Sequence, residues 1–148
     1  MGDDHRILVV ANETCAGRAL LDELRGRVRP GSEVLVVAPA LNSRLRHIFA
    51  DTDGAYAEAE ERLAESVAAL RAVGIGAAGA VGDSDPVQAI EDALVEFPAT
   101  EIVVSTHPPE RSNWLEKRVV ERATERFDLP ITHVVVDLVA ERRPAQVR

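Results

Sequence analysis

The chain of 148 residues has a single cysteine, no apolar run longer than a strand, a shortage of positive charge, and no glycine after Gly82. Each scarcity closes a class of answers. Cys15 alone rules out an internal disulfide and fits a reducing compartment. The apolar stretches fall far short of the ~20 residues that a membrane helix needs, so no span is expected. Met1 to Asp4 lacks the basic-then-apolar order of a secretory signal, and the expected location is the cytoplasm. Seventeen Lys and Arg against 25 Asp and Glu leave a net charge of -8. That balance disfavours nucleic acid as a partner, because neutralising phosphates dominates such affinity. His5, His47, His107 and His133 show no metal-ligand spacing, so no metal is expected. Asp3-Asp4-His5 reads as a terminal charged stretch.

What is present alternates between two periods. Ile7-Leu8-Val9-Val10-Ala11 is a near-continuous apolar run, after which Ala16, Leu20, Leu21, Leu24 and Val28 recur at helical spacing. Pro30-Gly31-Ser32 punctuates the chain, and Val34 to Ala38 is a second buried-type strand ending at Pro39. Ala55, Ala59, Leu63, Val67 and Leu70 mark a long helix ending near Gly74 and Gly76, where glycine suits a cap. Ala77 to Val81 is poor in β-formers and is assigned as the third strand from its place in the alternation. Asp85-Pro86 starts a helix: the carboxylate accepts orphan amide hydrogens and proline sits where no donor is needed. Ile102 to Val104 is the fourth strand, a helix begins near Ser112, and Ile131 to Val136 follows Leu129-Pro130 as the fifth strand. Strands and helices joined by short loops require parallel strands with right-handed crossovers. The expected fold is a single-domain, Rossmann-like α/β architecture. It is an open five-stranded parallel sheet of order 3-2-1-4-5 with helices on both faces. It spans residues 6–138, between a lead of 1–5 and a tail of 139–148.

In that order the sheet reverses direction between strands 1 and 4, which opens a crevice at their carboxyl ends. Asn12 and Thr14 leave strand 1 there, Ser105, Thr106, His107 and Arg111 leave strand 4, and Gly82 and Asp83 leave strand 3. Over about Arg6 to Asp137 these residues resemble the universal stress protein family. Its members open with an apolar strand ending in Asp-Gly-Ser, carry Gly-Asp-Pro before the third helix, and close strand 4 with a Gly-rich phosphate loop. Here Asn12-Glu13-Thr14 takes the first place, and Gly82-Asp83-Ser84-Asp85-Pro86 is a widened form of the second. Where ATP-binding members have three glycines, this chain has Ser105, Pro108 and Arg118.

That departure has a physical meaning. A phosphate loop points several backbone amides inward, and Pro108 and Pro109 have no amide hydrogen to offer. The triphosphate cradle is therefore not inherited with the resemblance. The substitute for holding an anion is the helix start at Ser112 together with Arg111, Lys117 and Arg118. The resemblance implies ATP or another nucleotide as ligand and a homodimer through the last strand, with Ile131, His133 and Val135 as its interface. An apolar edge strand is usually paired or covered, which agrees.

Several of these residues have a plain reading beside the functional one. His107 is a ligand donor or general base, or a surface histidine in a turn. Ser105 and Thr106 bind ligand oxygens, or satisfy local backbone groups. Ser112 reads as an N-cap rather than a nucleophile, since no Gly-x-Ser-x-Gly elbow surrounds it. Cys15 is a thiol activated by a helix start or a small packed hydrophobe. Trp114 is core or a hydrophobic anchor under the loop, and Leu41 to Gly54, with Arg44, Arg46 and His47, is a lid or a set of solvated charges flanking a short helix. Three functions stay open: a non-catalytic module binding a nucleotide or small anionic ligand in stress response or regulation, a ligand-free dimeric interaction protein, and a hydrolase or phosphotransferase using His107 with Ser105 or Asp83.

Overall fold

A computed structural model describes residues 5–11, 17–39, 52–83, 85–108, 114–137 and 139–140. In chain order the elements are β1 (Arg6–Val10), α1 (Arg18–Arg27), β2 (Glu33–Pro39), α2 (Thr52–Ala72) and β3 (Ala77–Gly82). They continue with α3 (Pro86–Glu96), β4 (Glu101–Thr106), α4 (Trp114–Arg126) and β5 (Ile131–Val135). The strands form one sheet of order β3-β2-β1-β4-β5 with every neighbouring pair parallel. The expected order is the observed one.

Side chains of a strand alternate between faces, so a central strand must be apolar at every position. In β1, Ile7 and Val9 join Val34, Val36, Val103 and Val134 on one face, beneath Leu20 and Leu24 of α1 and Leu63 and Leu70 of α2. Leu8 and Val10 join Ile102 and Val104 on the other, against Ala89 and Ile90 of α3 and Val119 and Ala123 of α4. Each such side chain contributes roughly 1.5–3 kcal/mol by leaving water. This two-faced burial explains why the runs at Ile7 to Val10 and Ile102 to Val104 are unbroken.

The helix ends follow local chemistry. Gly74, at φ 88°, closes α2: its amide donates to the Arg71 carbonyl at 3.0 Å and the Ile75 amide to the Leu70 carbonyl at 3.0 Å. Buried Ile75 and Leu70 then meet in the core, which is the apolar contact such an ending favours. Gly76 carries no positive φ and is not the cap. Asp85 caps α3 with its carboxylate on the Val87 amide, and Pro86 takes the first turn as expected.

The third strand owes its composition to packing. A Cβ on Gly79 would stand 2.7 Å from Cγ of Leu63, so α2 sits directly on the strand backbone and leaves no room for a β-branched residue. One boundary differs from expectation. The helix α2 begins at Thr52, so residues 52–54 of the proposed lid are helical, while 41–51 lie outside the described residues. The helix α4 is described from Trp114 onward, and the expected start near Ser112 lies outside the described residues.

Candidate functional site

The pairing of Val10 with Val104 brings Ala11 and Ser105 out side by side at the carboxyl ends of β1 and β4. This is the reversal point of the sheet. Ala11 is buried and its amide donates to the Val37 carbonyl at 3.1 Å. Ser105 and Thr106 are each 4% exposed, which places two hydroxyls at the rim of an otherwise apolar core. Thr106 Oγ1 donates to the His107 carbonyl at 3.1 Å and lies 2.7 Å from Nε2 of His133. The hydroxyl thus links the His107 carbonyl to the His133 imidazole. The Val136 amide donates to the Thr106 carbonyl at 2.8 Å and ties the ends of β4 and β5 together.

The expected interface residues lie on β5, one edge of the sheet. Ile131 packs partly buried against the α3/α4 core, His133 is engaged by Thr106, and Val135 is 46% exposed. Val135 is therefore the apolar side chain that this edge offers outward.

Gly82 and Asp83 sit at the end of β3, three strand spacings or about 14 Å from β4. A Cβ on Gly82 would meet Cβ of Ala89 at 2.8 Å and Cγ1 of Val37 at 3.0 Å, so the close approach of α3 already demands glycine there. Asp83 accepts the Asp85 amide through Oδ1 at 2.8 Å, which shapes the turn into α3. Asp85 takes both terminal guanidinium nitrogens of Arg122, each at 3.1 Å, and clamps α3 to α4. The hydrogen bonds from Arg122 hold the Asp85 carboxyl below its ordinary pKa, with partial burial opposing and the Val87 amide assisting.

Neighbouring cations are likewise paired: Arg126 meets Glu91 at 2.6 Å, and Arg118, largely exposed, lies 3.8 Å from Glu121 on its own helix. The sheet thus brings Thr106 and His133 together, with Ser105 and His107 beside Thr106 along the chain, while Gly82 and Asp83 stand apart and Arg118 is largely exposed. Asn12, Thr14, Cys15, Arg44, Arg46, His47, Ser84, Pro109, Arg111 and Ser112 lie outside the described residues, as do the side chains of Trp114 and Lys117.

A second polar cluster, at the opposite end of the sheet, was not expected. His5, read as part of a terminal charged stretch, is held by two side chains: its Nδ1 lies 2.7 Å from Ser32 Oγ and its Nε2 2.7 Å from Glu101 Oε2. Arg27 reaches Glu101 Oε1 at 2.7 Å, Glu23 Oε2 at 2.7 Å and Thr132 Oγ1 at 2.8 Å. The signal in the sequence was positional. His5, Ser32 and Glu101 each stand at the entrance to an apolar strand, and parallel strands gather their starts along one edge. Among the described residues no group of three or more His, Cys, Asp or Glu is placed to hold a metal ion, and no helix is long and apolar enough to cross a membrane.

No family model and no curated protein sequence matches the chain. Solved structures do. The universal stress protein from Archaeoglobus fulgidus is similar at 20% identity and TM-score 0.59, over 88% of this chain and 93% of that one. The same protein in complex with dAMP aligns at 20% identity and TM-score 0.58, over 90% and 99%. A universal stress protein in complex with cAMP aligns at 16% identity and TM-score 0.54, over 88% and 96%. The chain has the universal stress protein fold.

Proposed function

We propose that this chain, on the universal stress protein fold, is a module that is non-catalytic at the crevice between β1 and β4. It binds a nucleotide or small anionic ligand in the crevice between β1 and β4 and acts in stress response or regulation in the cytoplasm. The observation that carries the reading is the pair of buried hydroxyls, Ser105 and Thr106, at the point where the strand order reverses. The complexes of similar folds with dAMP and cAMP support it. Since proline replaces the amide donors of a triphosphate loop at Pro108 and Arg122 is already paired, a ligand with few phosphates suits this end of the sheet better than ATP.

A thermal-shift series with dAMP, cAMP, AMP, ADP and ATP tests this. Binding to the native state alone adds about 2.7 kcal/mol at a hundredfold excess over Kd. Melting curves unchanged at millimolar ligand would remove the nucleotide reading.

The pairing of Arg122 with Asp85 and of Arg126 with Glu91 favours a second reading, a ligand-free dimeric interaction protein on the same scaffold. Both readings include a homodimer through β5, supported by the exposed Val135 on that edge. Val135→Arg is expected to shift the sedimentation profile from dimer to monomer. An unchanged profile would refute that interface.

A further inference from the structure

We propose that Ser32, His5 and Glu101 form a nucleophile, base and orienting carboxylate at the amino end of the sheet, so that Ser32 is acylated by activated esters. This lies apart from the crevice and does not depend on the nucleotide reading.

The argument starts from where each proton must sit. Ser32 Oγ accepts the Arg29 amide at 3.0 Å, and the Ser32 amide donates back to the Arg29 carbonyl at 2.9 Å. This reciprocal closure, made through Gly31 at φ 91°, holds the serine in place. A hydroxyl that already accepts from an amide directs its own proton at its other neighbour, here Nδ1 of His5 at 2.7 Å. A carboxylate accepts only, so the 2.7 Å contact between Glu101 Oε2 and Nε2 of His5 assigns the ring proton to Nε2. The free lone pair of Nδ1 then faces the serine proton. That is the protonation pattern of a base about to activate a hydroxyl, with a third group fixing the tautomer.

The scaffold holds the three groups rigidly. The Glu33 amide donates to the His5 carbonyl at 3.0 Å, and the Thr100 amide to the Arg6 carbonyl at 2.8 Å. The backbone of His5 and Arg6 is therefore pinned from β2 on one side and from the start of β4 on the other. Arg27 holds the remaining oxygen of Glu101. The side chains of His5 and Glu101 are 11% and 15% exposed, whereas Ser32 is half-buried in a surface turn. The base and carboxylate are sheltered from water and the hydroxyl stands at the rim.

In the step itself, Ser32 Oγ attacks the acyl carbon of an aryl ester and its proton passes to His5 Nδ1. The bond from the acyl carbon to the aryl oxygen breaks, and the proton on His5 Nδ1 passes to the departing oxygen, so that phenol leaves and His5 is neutral again. Water then attacks the acyl carbon and passes a proton to His5 Nδ1, the bond from the acyl carbon to Ser32 Oγ breaks, Oγ takes that proton back, and the carboxylic acid departs. Ester and water give acid and phenol.

The test is p-nitrophenyl acetate mixed with the full chain, followed by nitrophenolate release and by peptide mass mapping of the acetyl adduct. The expected result is a burst with the adduct on Ser32, none with Ser32→Ala. His5→Gln is expected to slow acylation by a factor of about 10²–10³. The pH profile of the wild-type rate is flattened in His5→Gln. An adduct elsewhere than Ser32, or an equal rate and pH profile in His5→Gln, overturns the proposal. Should either variant melt below the assay temperature, mapping the sulfonyl adduct of phenylmethylsulfonyl fluoride on the wild-type chain decides: on Ser32 it supports the assignment, and absent from Ser32 it defeats it.

Discussion

The two ends of the sheet are held together by different means. At the amino end, Arg27 of α1 binds Glu101 of β4, Thr132 of β5 and Glu23 of its own helix, and Glu101 passes the connection to His5 and Ser32. One network spans four strand entrances. At the carboxyl end the ties join neighbours in pairs: Asp85 with Arg122 across α3 and α4, and Thr106 with His133 across β4 and β5. The contrast shows where an α/β sheet stores its rigidity. Among the described residues, the ends that enter the sheet share one network, whereas the carboxyl ends are tied only by local pairs.

Breaking the network at its centre gives the largest expected effect. Glu101→Ala strips Arg27 and His5 of a shared, mostly buried carboxylate, which costs roughly 2–3 kcal/mol. For a chain of this size that lowers Tm by about 5–10 °C in a calorimetric scan. Ligand affinity at the other end stays as it was; a loss below about 0.5 kcal/mol would show that the amino-end network carries little of the stability.

The carboxyl end is sharpened by Gly82→Ala. Its Cβ must displace Ala89 of α3, and overpacking of this kind costs about 1–3 kcal/mol. Stability falls while affinity for a nucleotide is preserved, because the glycine is there for the helix. A variant with native Tm and lost ligand binding would reverse that assignment.

Smallest is Asp85→Asn, which keeps the cap on the Val87 amide and removes the charge that Arg122 holds. At this half-exposed pair the loss is within about 1 kcal/mol. Its pH dependence has a definite sign. The folded carboxyl has a lowered pKa, so its stabilisation is complete above the unfolded value near 3.9 and disappears as pH falls through the folded value. Chemical denaturation should therefore show wild type and variant separated at neutral pH and converging below about pH 4. A constant gap down to acid pH would assign the difference to capping geometry.

Much of the architecture was legible because burial on two faces leaves a one-dimensional trace. The apolar runs of β1 and β4, the helical spacing of Leu63, Val67 and Leu70, and the Asp85-Pro86 start each depend on local chemistry or on a single periodicity. The third strand was legible only by position, since Gly79 and Gly82 are set by the approach of α2 and α3. The place where the sheet reverses, the ends of β1 and β4, was legible from the strand order. The roles of its members were not, because Thr106 and His133 are 27 positions apart and meet only through the register of two strands.

By itself the sequence determined the order of elements, the parallel sheet and the point where that sheet reverses, because hydrophobic period and turn chemistry act over a few neighbours at a time. Tertiary structure alone decided that His5 pairs with a carboxylate 96 positions away, that Gly82 serves a helix, and that Arg122 is spent on Asp85. These outcomes depend on distances across the fold, and a hydrogen bond or a steric contact of about 3 Å leaves no periodic trace along the chain.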